Sequence, residues 1–205
     1  MPVATPIREA LSEADVETTV SAIASIAETL SRLAERGVFH RDIKPENLYQ
    51  HGQHWVVGDL GLVEFPSKEA LTQQNRKLGP MYYLAPEMLT NASRAEAGPA
   101  DVYSLAKTLW VLVGGQNYPW PGEQRGDRAG TRISDVVVHA RSHLLDRLLE
   151  RATVDAPAAR PTMAEMATEI RAWLRPPIGA PAEPDLSELA ARVASTFGPG
   201  LKDER

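Results

Sequence analysis

Apolar Val16, Val20, Ile23, Ile26, Ala27, Leu30 and Leu33 recur at steps of three and four between Asp15 and Arg36. That spacing predicts a helix with one buried face, capped by Ser12 or Asp15 and stopped at Gly37. The period then changes. Leu48-Tyr49-Gln50 and Trp55-Val56-Val57 flank His51-Gly52-Gln53-His54, which predicts a short β-hairpin turning at the glycine. A short helix is predicted near Met88, then a break at Gly98-Pro99. From Asp101 to Val113 the chain reads DVYSLAKTLWVLV, apolar almost all round, as in a helix buried on most sides. Asn117 to Thr131, rich in Gly and Pro, reads as loop, and amphipathic helices follow near Val136 to Arg151 and Thr162 to Leu174, separated by Asp155-Ala156-Pro157. Trp110, Trp120 and Trp173 fall in apolar surroundings and are expected in the core. Phe65 to Leu78 is polar and aperiodic and reads as a mobile loop. Residues 176–184 read as a Pro/Ala linker ahead of a short helix at Asp185 to Phe197. No internal repeat is present.

Composition narrows the setting. The chain has 205 residues, 43% hydrophobic and 24% charged, enough for one main domain with a real core. With no cysteine, disulfides and thiolate metal sites are excluded and a reducing compartment suits the chain, so the expected location is cytoplasmic. Met1-Pro2-Val3-Ala4-Thr5-Pro6 lacks the basic start and apolar stretch of a signal peptide, and no later run is long and apolar enough for a membrane span. A net charge of −5 with scattered Arg forms no basic stripe, so nucleic acid is not an expected partner.

The densest chemistry lies in His40-Arg41-Asp42-Ile43-Lys44-Pro45-Glu46-Asn47, directly after the first helix. Phosphoryl transfer needs a carboxylate to orient the attacking hydroxyl, a cation on the transferring phosphate, and oxygens that hold Mg²⁺ against the nucleotide. Asp42, Lys44 and Asn47 supply these types, and Asp59 follows seventeen residues later across the hairpin, in Gly58-Asp59-Leu60-Gly61. Alone, Asp42 or Asp59 would read as a turn-former; together with Lys44 and Asn47 they are better explained by Mg²⁺ and phosphate. His40, behind an apolar pair, reads as a packed, backbone-bonding histidine. His51 and His54 lack a third ligand and read as solvated hairpin residues.

At this point the sequence resembles the eukaryotic-type serine/threonine protein kinase family, in its C-terminal lobe. The matching pieces are HRDIKPEN, GDLGLV for the segment the family usually spells DFG, LAPE (Leu84 to Glu87), DVYSL (Asp101 to Leu105) and ARPT (Ala159 to Thr162), in family order. The resemblance implies a mainly α fold with a short β-hairpin beside the catalytic loop, and ATP and Mg²⁺ as cofactors. It makes Asp42 the catalytic base, Lys44 a contact of the γ-phosphate, and Asn47 and Asp59 the Mg²⁺ ligands. It further implies a buried ion pair of Glu87 with Arg160, and an Asp101 carboxylate that accepts from the catalytic-loop backbone. Lys44 resembles the Ser/Thr-specific version of the loop, so a protein hydroxyl is the expected substrate. Arg41 before Asp42 marks kinases ordered by an activation-loop phosphate, for which Ser67 and Thr72 are the candidates.

Some family features depart. No G-x-G-x-x-G occurs, and the strand Lys and helix Glu of an N-terminal β-rich lobe do not precede His40. Residues 1–14 resemble the interlobe hinge and the first helix of the C-terminal lobe, residues 15–175 the lobe itself, and 176–205 a linker and tail. The expectation is an N-terminally truncated catalytic domain, inactive alone, whose first lobe is missing or separate. The alternative is a lobe-only pseudokinase that binds a partner protein. A small-molecule kinase of the aminoglycoside type is disfavoured by LAPE and Arg160. Gly79-Pro80-Met81 stands where the family often has Gly-Thr-Pro, and Leu60 replaces the usual Phe.

Overall fold

The computed structural model describes residues 4–59 and 81–175. The first long helix, α2 (Val16–Ala34), begins where Asp15 turns its carboxylate onto the Thr18 N–H at 2.7 Å, satisfying a donor that the helix itself leaves open. That bond holds the Asp15 carboxyl below its usual range. The helix ends in a Schellman turn: Gly37 sits at φ 69°, the Val38 N–H returns to the Leu33 carbonyl and the Gly37 N–H to Ala34. Its inward stripe, Val20, Ile23, Ile26, Ala27 and Leu30, is buried.

Ahead of α2 lie a two-residue strand β1 (Thr5–Pro6) and a single helical turn α1 (Ile7–Ala10). After it come a 3₁₀ turn at Pro45–Asn47 and the hairpin of β2 (Leu48–His51) and β3 (His54–Val57), which turns at Gly52 with φ 60°. Both hairpin histidines are exposed. β1 adds to the outer edge of β2, so the small sheet is three-stranded, ordered β1-β2-β3 and antiparallel throughout.

The Gly98-Pro99 pair does not break the chain; it opens a helix. α3 (Pro86–Asn91) is short, and α4 (Ala97–Val113) takes Pro99 into its first turn, where the missing N–H costs nothing. Gly98 is there for contact: a Cβ at that position would lie 3.3 Å from the Phe39 ring. Fourteen of the seventeen α4 residues are buried, which makes it the element the others pack around. α2 lies against α4 and against the last helix among the described residues, α7 (Met163–Leu174). Leu105, Leu109, Met166, Ile170 and Trp173 complete that core.

Two expectations are corrected here. In place of one helix from Val136 to Arg151 there are α5 (Ile133–Val136) and α6 (Ser142–Ala152), with Val137 extended at φ −132°, ψ 129°. Three consecutive valines are poor helix formers, and the Asp146 carboxylate folds back to accept the Ile133 N–H at 2.6 Å, fixing the corner. Trp120 is not core. It is 39% exposed, donates its indole N–H to the Gly130 carbonyl at 2.8 Å and lies under the Arg128 guanidinium, so it organises the loop after α4. The segment 65–78 and the tail beyond 175 fall outside the described residues. Among the described residues no helix is long and apolar enough to cross a membrane.

Candidate active site

α2 hands the chain through Val38 and Phe39 to the loop that begins at His40, and α4 fixes that loop from below. The buried Asp101 carboxylate accepts the His40 N–H at Oδ2 and the Arg41 N–H at Oδ1, both at 2.7 Å. Arg41 sits at φ 65°, a left-handed conformation that costs a non-glycine residue about 1–2 kcal/mol. Charge-assisted bonds to two successive backbone donors are the kind of restraint that holds such a turn. The Arg41 side chain runs on to the Ala92 carbonyl and to the Met88 sulfur at 3.7 Å, joining the loop to the end of α3.

The His40 ring is buried and bridges two segments of the site. Nε2 lies 2.9 Å from the Gly58 carbonyl, and the Asp42 N–H points at Nδ1 at 3.3 Å. Those partners require a donor at Nε2 and an acceptor at Nδ1, which is the neutral Nε2–H tautomer. Burial pushes the imidazole below its usual range; the Gly58 carbonyl and the carboxylates of Asp42 and Asp59 pull the other way without prevailing.

Asp42 stands at the centre of the polar cluster. Lys44 Nζ reaches its Oδ2 at 2.8 Å, with both side chains mostly shielded from water. Asn47 donates from Nδ2 to the Asp42 main-chain oxygen at 2.8 Å and to Oδ2 at 3.1 Å. This leaves the Asn47 amide oxygen without a hydrogen bond among the described residues. The Gly58 N–H closes onto the Asn47 carbonyl at 2.8 Å, so the exit of β3 is stitched to the end of the loop. Asp59 follows at φ 53°, its side chain exposed. The structure therefore brings Asp42, Lys44 and Asn47 into direct contact, with Asp59 next to Gly58, whose N–H is bonded to Asn47.

An amide oxygen and a carboxylate are hard donors, too few for an all-protein cage. They suit Mg²⁺, which keeps waters and phosphate oxygens in its shell. Among the described residues there is no cluster of three or more His, Cys, Asp or Glu arranged to hold a metal.

A second group supports the site from α3 and the chain before α7. Arg160 makes a bidentate pair with Glu87, Nη1 to Oε1 at 2.6 Å and Nη2 to Oε2 at 2.9 Å, and its side chain is wholly buried. Its remaining donors go to the carbonyls of Val154, Pro99 and Asp155. Sequence reasoning missed Arg8, whose guanidinium joins the carbonyls of Gln116 and Asn117, each at 2.9 Å, to the Tyr83 hydroxyl at 3.4 Å. It also missed Lys107, fully buried on α4 with its ammonium on the Trp120 and Gly122 carbonyls. A lysine inside an otherwise apolar helical run was the available signal. Ser67 and Thr72 lie outside the described residues.

The protein kinase domain family matches residues 5–170. Curated relatives include the probable serine/threonine-protein kinase pknA2 of Bifidobacterium longum, 32% identical over 82% of this chain and 21% of its own length. Another is the serine/threonine-protein kinase PkaB of Streptomyces coelicolor, 29% identical over 77% of this chain and 40% of its own. A third is the serine/threonine-protein kinase PknH of Mycobacterium tuberculosis, 35% identical over 56% of this chain and 17% of its own. The chain thus spans well under half the length of the curated relatives it matches. With the family match running from β1 almost to the end of α7, over the loop from His40 to Asn47 and the Glu87–Arg160 pair, this chain belongs to the protein kinase domain family.

Proposed function

We propose that this chain is the catalytic-loop portion of a serine/threonine protein kinase, moving the γ-phosphate of ATP onto a protein Ser or Thr hydroxyl. The observation that carries the reading is the Asp42 carboxylate, held between Lys44 Nζ at 2.8 Å and Asn47 Nδ2 at 3.1 Å on a loop anchored by Asp101. A carboxylate fixed in this way can accept a hydrogen bond from the incoming hydroxyl and take its proton as the new P–O bond forms and the bond from the γ-phosphorus to the departing ADP breaks. Lys44, already beside that carboxylate, offers a positive charge to the oxygens of the transferring phosphoryl group. Asn47 and Asp59 are the residues that would hold Mg²⁺, which when bound supplies charge neutralisation at the nucleotide phosphates. Asn47 keeps its amide oxygen available for this by turning its N–H groups onto Asp42.

The names of the relatives support serine/threonine specificity, and Lys44 within the loop agrees with it. The 205 residues contain no G-x-G-x-x-G, so a clamp over the phosphates has to come from elsewhere, and the 205-residue chain taken alone transfers phosphate weakly or not at all. The test is labelled phosphate transfer from ATP to a generic basic protein, with Mg²⁺, by the native gene product isolated from its source, followed by phosphoamino-acid analysis. Phosphoserine or phosphothreonine that disappears in the Asp42→Asn variant is the expected result. Transfer unaffected by Asp42→Asn would overturn the assignment.

A further inference from the structure

Gly58 is held on three sides. Its N–H donates to the Asn47 carbonyl at 2.8 Å, and its own carbonyl lies 2.9 Å from the His40 ring nitrogen. The third side is aromatic: a Cβ at position 58 would stand 2.8 Å from Cε2 and 3.2 Å from Cδ2 of Tyr49. Side chains do not approach that closely, and the ring has little freedom to retreat. Its far end is tied, the Tyr49 hydroxyl donating to the Glu46 carbonyl at 2.8 Å.

The register explains the fit. Leu48 pairs with Val57 and Tyr49 with Val56, and the Gly58 to Asn47 bond carries the ladder one step further. Side chains alternate across a sheet, so Tyr49 and its partner Val56 share one face, and position 58, two residues on from Val56, falls on it as well. Tyr49 stands on that face, and the absent side chain at 58 leaves the gap the ring fills. Glu46 and Asn47 belong to one 3₁₀ turn, while Gly58 and Asp59 form one strand exit. A single ring therefore abuts both segments, its hydroxyl on the turn and its edge on the exit.

We propose that Tyr49 is the spacer that sets the separation of Asn47 from Asp59, with Gly58 as its matching socket, and so tunes how tightly the chain holds a divalent cation beside a nucleotide phosphate. This rests on the reading of Asn47 and Asp59 as the Mg²⁺-holding residues. Tyr49 is a positioning residue here, acting through the two segments it separates. A shorter side chain cannot reach both the Glu46 carbonyl and the face of Gly58. A bulkier residue at 58 would push the ring, and with it the turn, away from Asp59.

Mn²⁺ is the probe, titrated with ADP present against the native gene product and followed by the electron paramagnetic resonance of the free ion. Tyr49→Ala and Gly58→Ala are each expected to weaken Mn²⁺ retention about tenfold, the usual scale for residues that orient metal ligands. The double variant should be no weaker than the worse single, because one spacer is being removed twice. Tyr49→Phe keeps the ring in its socket and loses only the tie to Glu46, for an expected loss of about threefold. Should Gly58→Ala fail to fold, a folded Tyr49→Ala that holds Mn²⁺ like the wild type overturns the proposal by itself. Asp59→Asn separates the two levels. If it binds weakly while Tyr49→Ala does not, only the spacer falls; if it too binds like the wild type, the metal reading and the spacer fall together.

Discussion

The carboxylate of Asp101 holds Arg41 in a left-handed turn, accepting its backbone N–H at 2.7 Å while the neighbouring His40 N–H takes the other oxygen at the same distance. A buried residue of the central helix thereby dictates the backbone of a polar loop that is itself largely shielded from water. The shape of the site is tied in this way to the buried α4.

Asp101→Asn keeps the shape but turns an N–H₂ toward one of those two backbone donors. The variant should lose about 2–3 kcal/mol of stability, the scale of hydrogen bonds to a charged group, and, made in the native gene product, should lower the proposed phosphate transfer more than it lowers nucleotide binding. Denaturant titration alongside steady-state kinetics checks both. A loss under about 0.5 kcal/mol, the level of a surface substitution, would mean that the loop holds its turn without Asp101.

Lys107 makes a pH prediction. Its amine is fully buried on α4, with only carbonyls as direct hydrogen-bond partners, and desolvation pushes it down to about 7 from its ordinary 10.5. Arg128 adds to the depression, while Asp155 and Glu123 oppose it. Between those two values the unfolded chain binds a proton that the folded chain has released, so stability rises with pH across that window. Below about 7 both states are protonated and the folded state carries the whole penalty. Thermal melts of wild type and Lys107→Met from pH 6 to pH 9.5 should therefore diverge, with the wild type gaining on the variant as pH rises through 7. Parallel curves would show that the buried amine keeps its proton. Tyr83 and Tyr103, both raised by burial, act above this range.

Much of this architecture is legible from periodicity. The 3.6-residue stripe marks α2 almost to its ends because a cap and a Schellman glycine bound it, and the all-apolar run marks α4 as central. What resisted reading was decided by contacts between distant segments. Gly98-Pro99 looks like a break until Phe39 is seen against Gly98. The valines at 136–138 continue an apolar pattern that the Asp146 cap bends into a corner. Trp120 carries no local sign that its indole N–H will be claimed by Gly130. At the site, the spacing of Asp42, Lys44 and Asn47 is local and visible. The contact of Tyr49 with Gly58 depends on a cross-strand register that composition does not reveal.

His40 should be neutral and fixed in one tautomer. Its ring nitrogens face an acceptor at Gly58 and a donor at Asp42, and burial opposes a second proton. Nitrogen-detected NMR of histidine-labelled protein is expected to show Nε2–H with unprotonated Nδ1 below pH 6.5, the ordinary histidine midpoint. Because the folded value lies below the unfolded one, stability contributed here is lost as pH falls below about 6.5. A His40 ring that takes up its second proton at or above pH 6.5 would refute the locked ring.

The bidentate pair of Arg160 and Glu87 supports the site at its other flank, and its energetics depend on which partner is removed. Arg160 is wholly buried on its side chain and also satisfies the carbonyls of Val154, Pro99 and Asp155, whereas Glu87 retains a partly exposed carboxylate. Glu87→Ala leaves a buried guanidinium without its counter-charge, a change that costs about 3–5 kcal/mol. Arg160→Met removes the cation together with the need for it, leaving a carboxylate that can turn to water, so a smaller loss is expected despite three carbonyls left unbonded. Joining the two in a double-mutant cycle should return a coupling energy above about 1 kcal/mol. Additive losses would assign the stability to the carbonyl bonds of Arg160 and leave Glu87 as a surface acid. A strong coupling would make the pair the strut that ties α3, and the Arg41 contacts at its end, to the chain leading into α7.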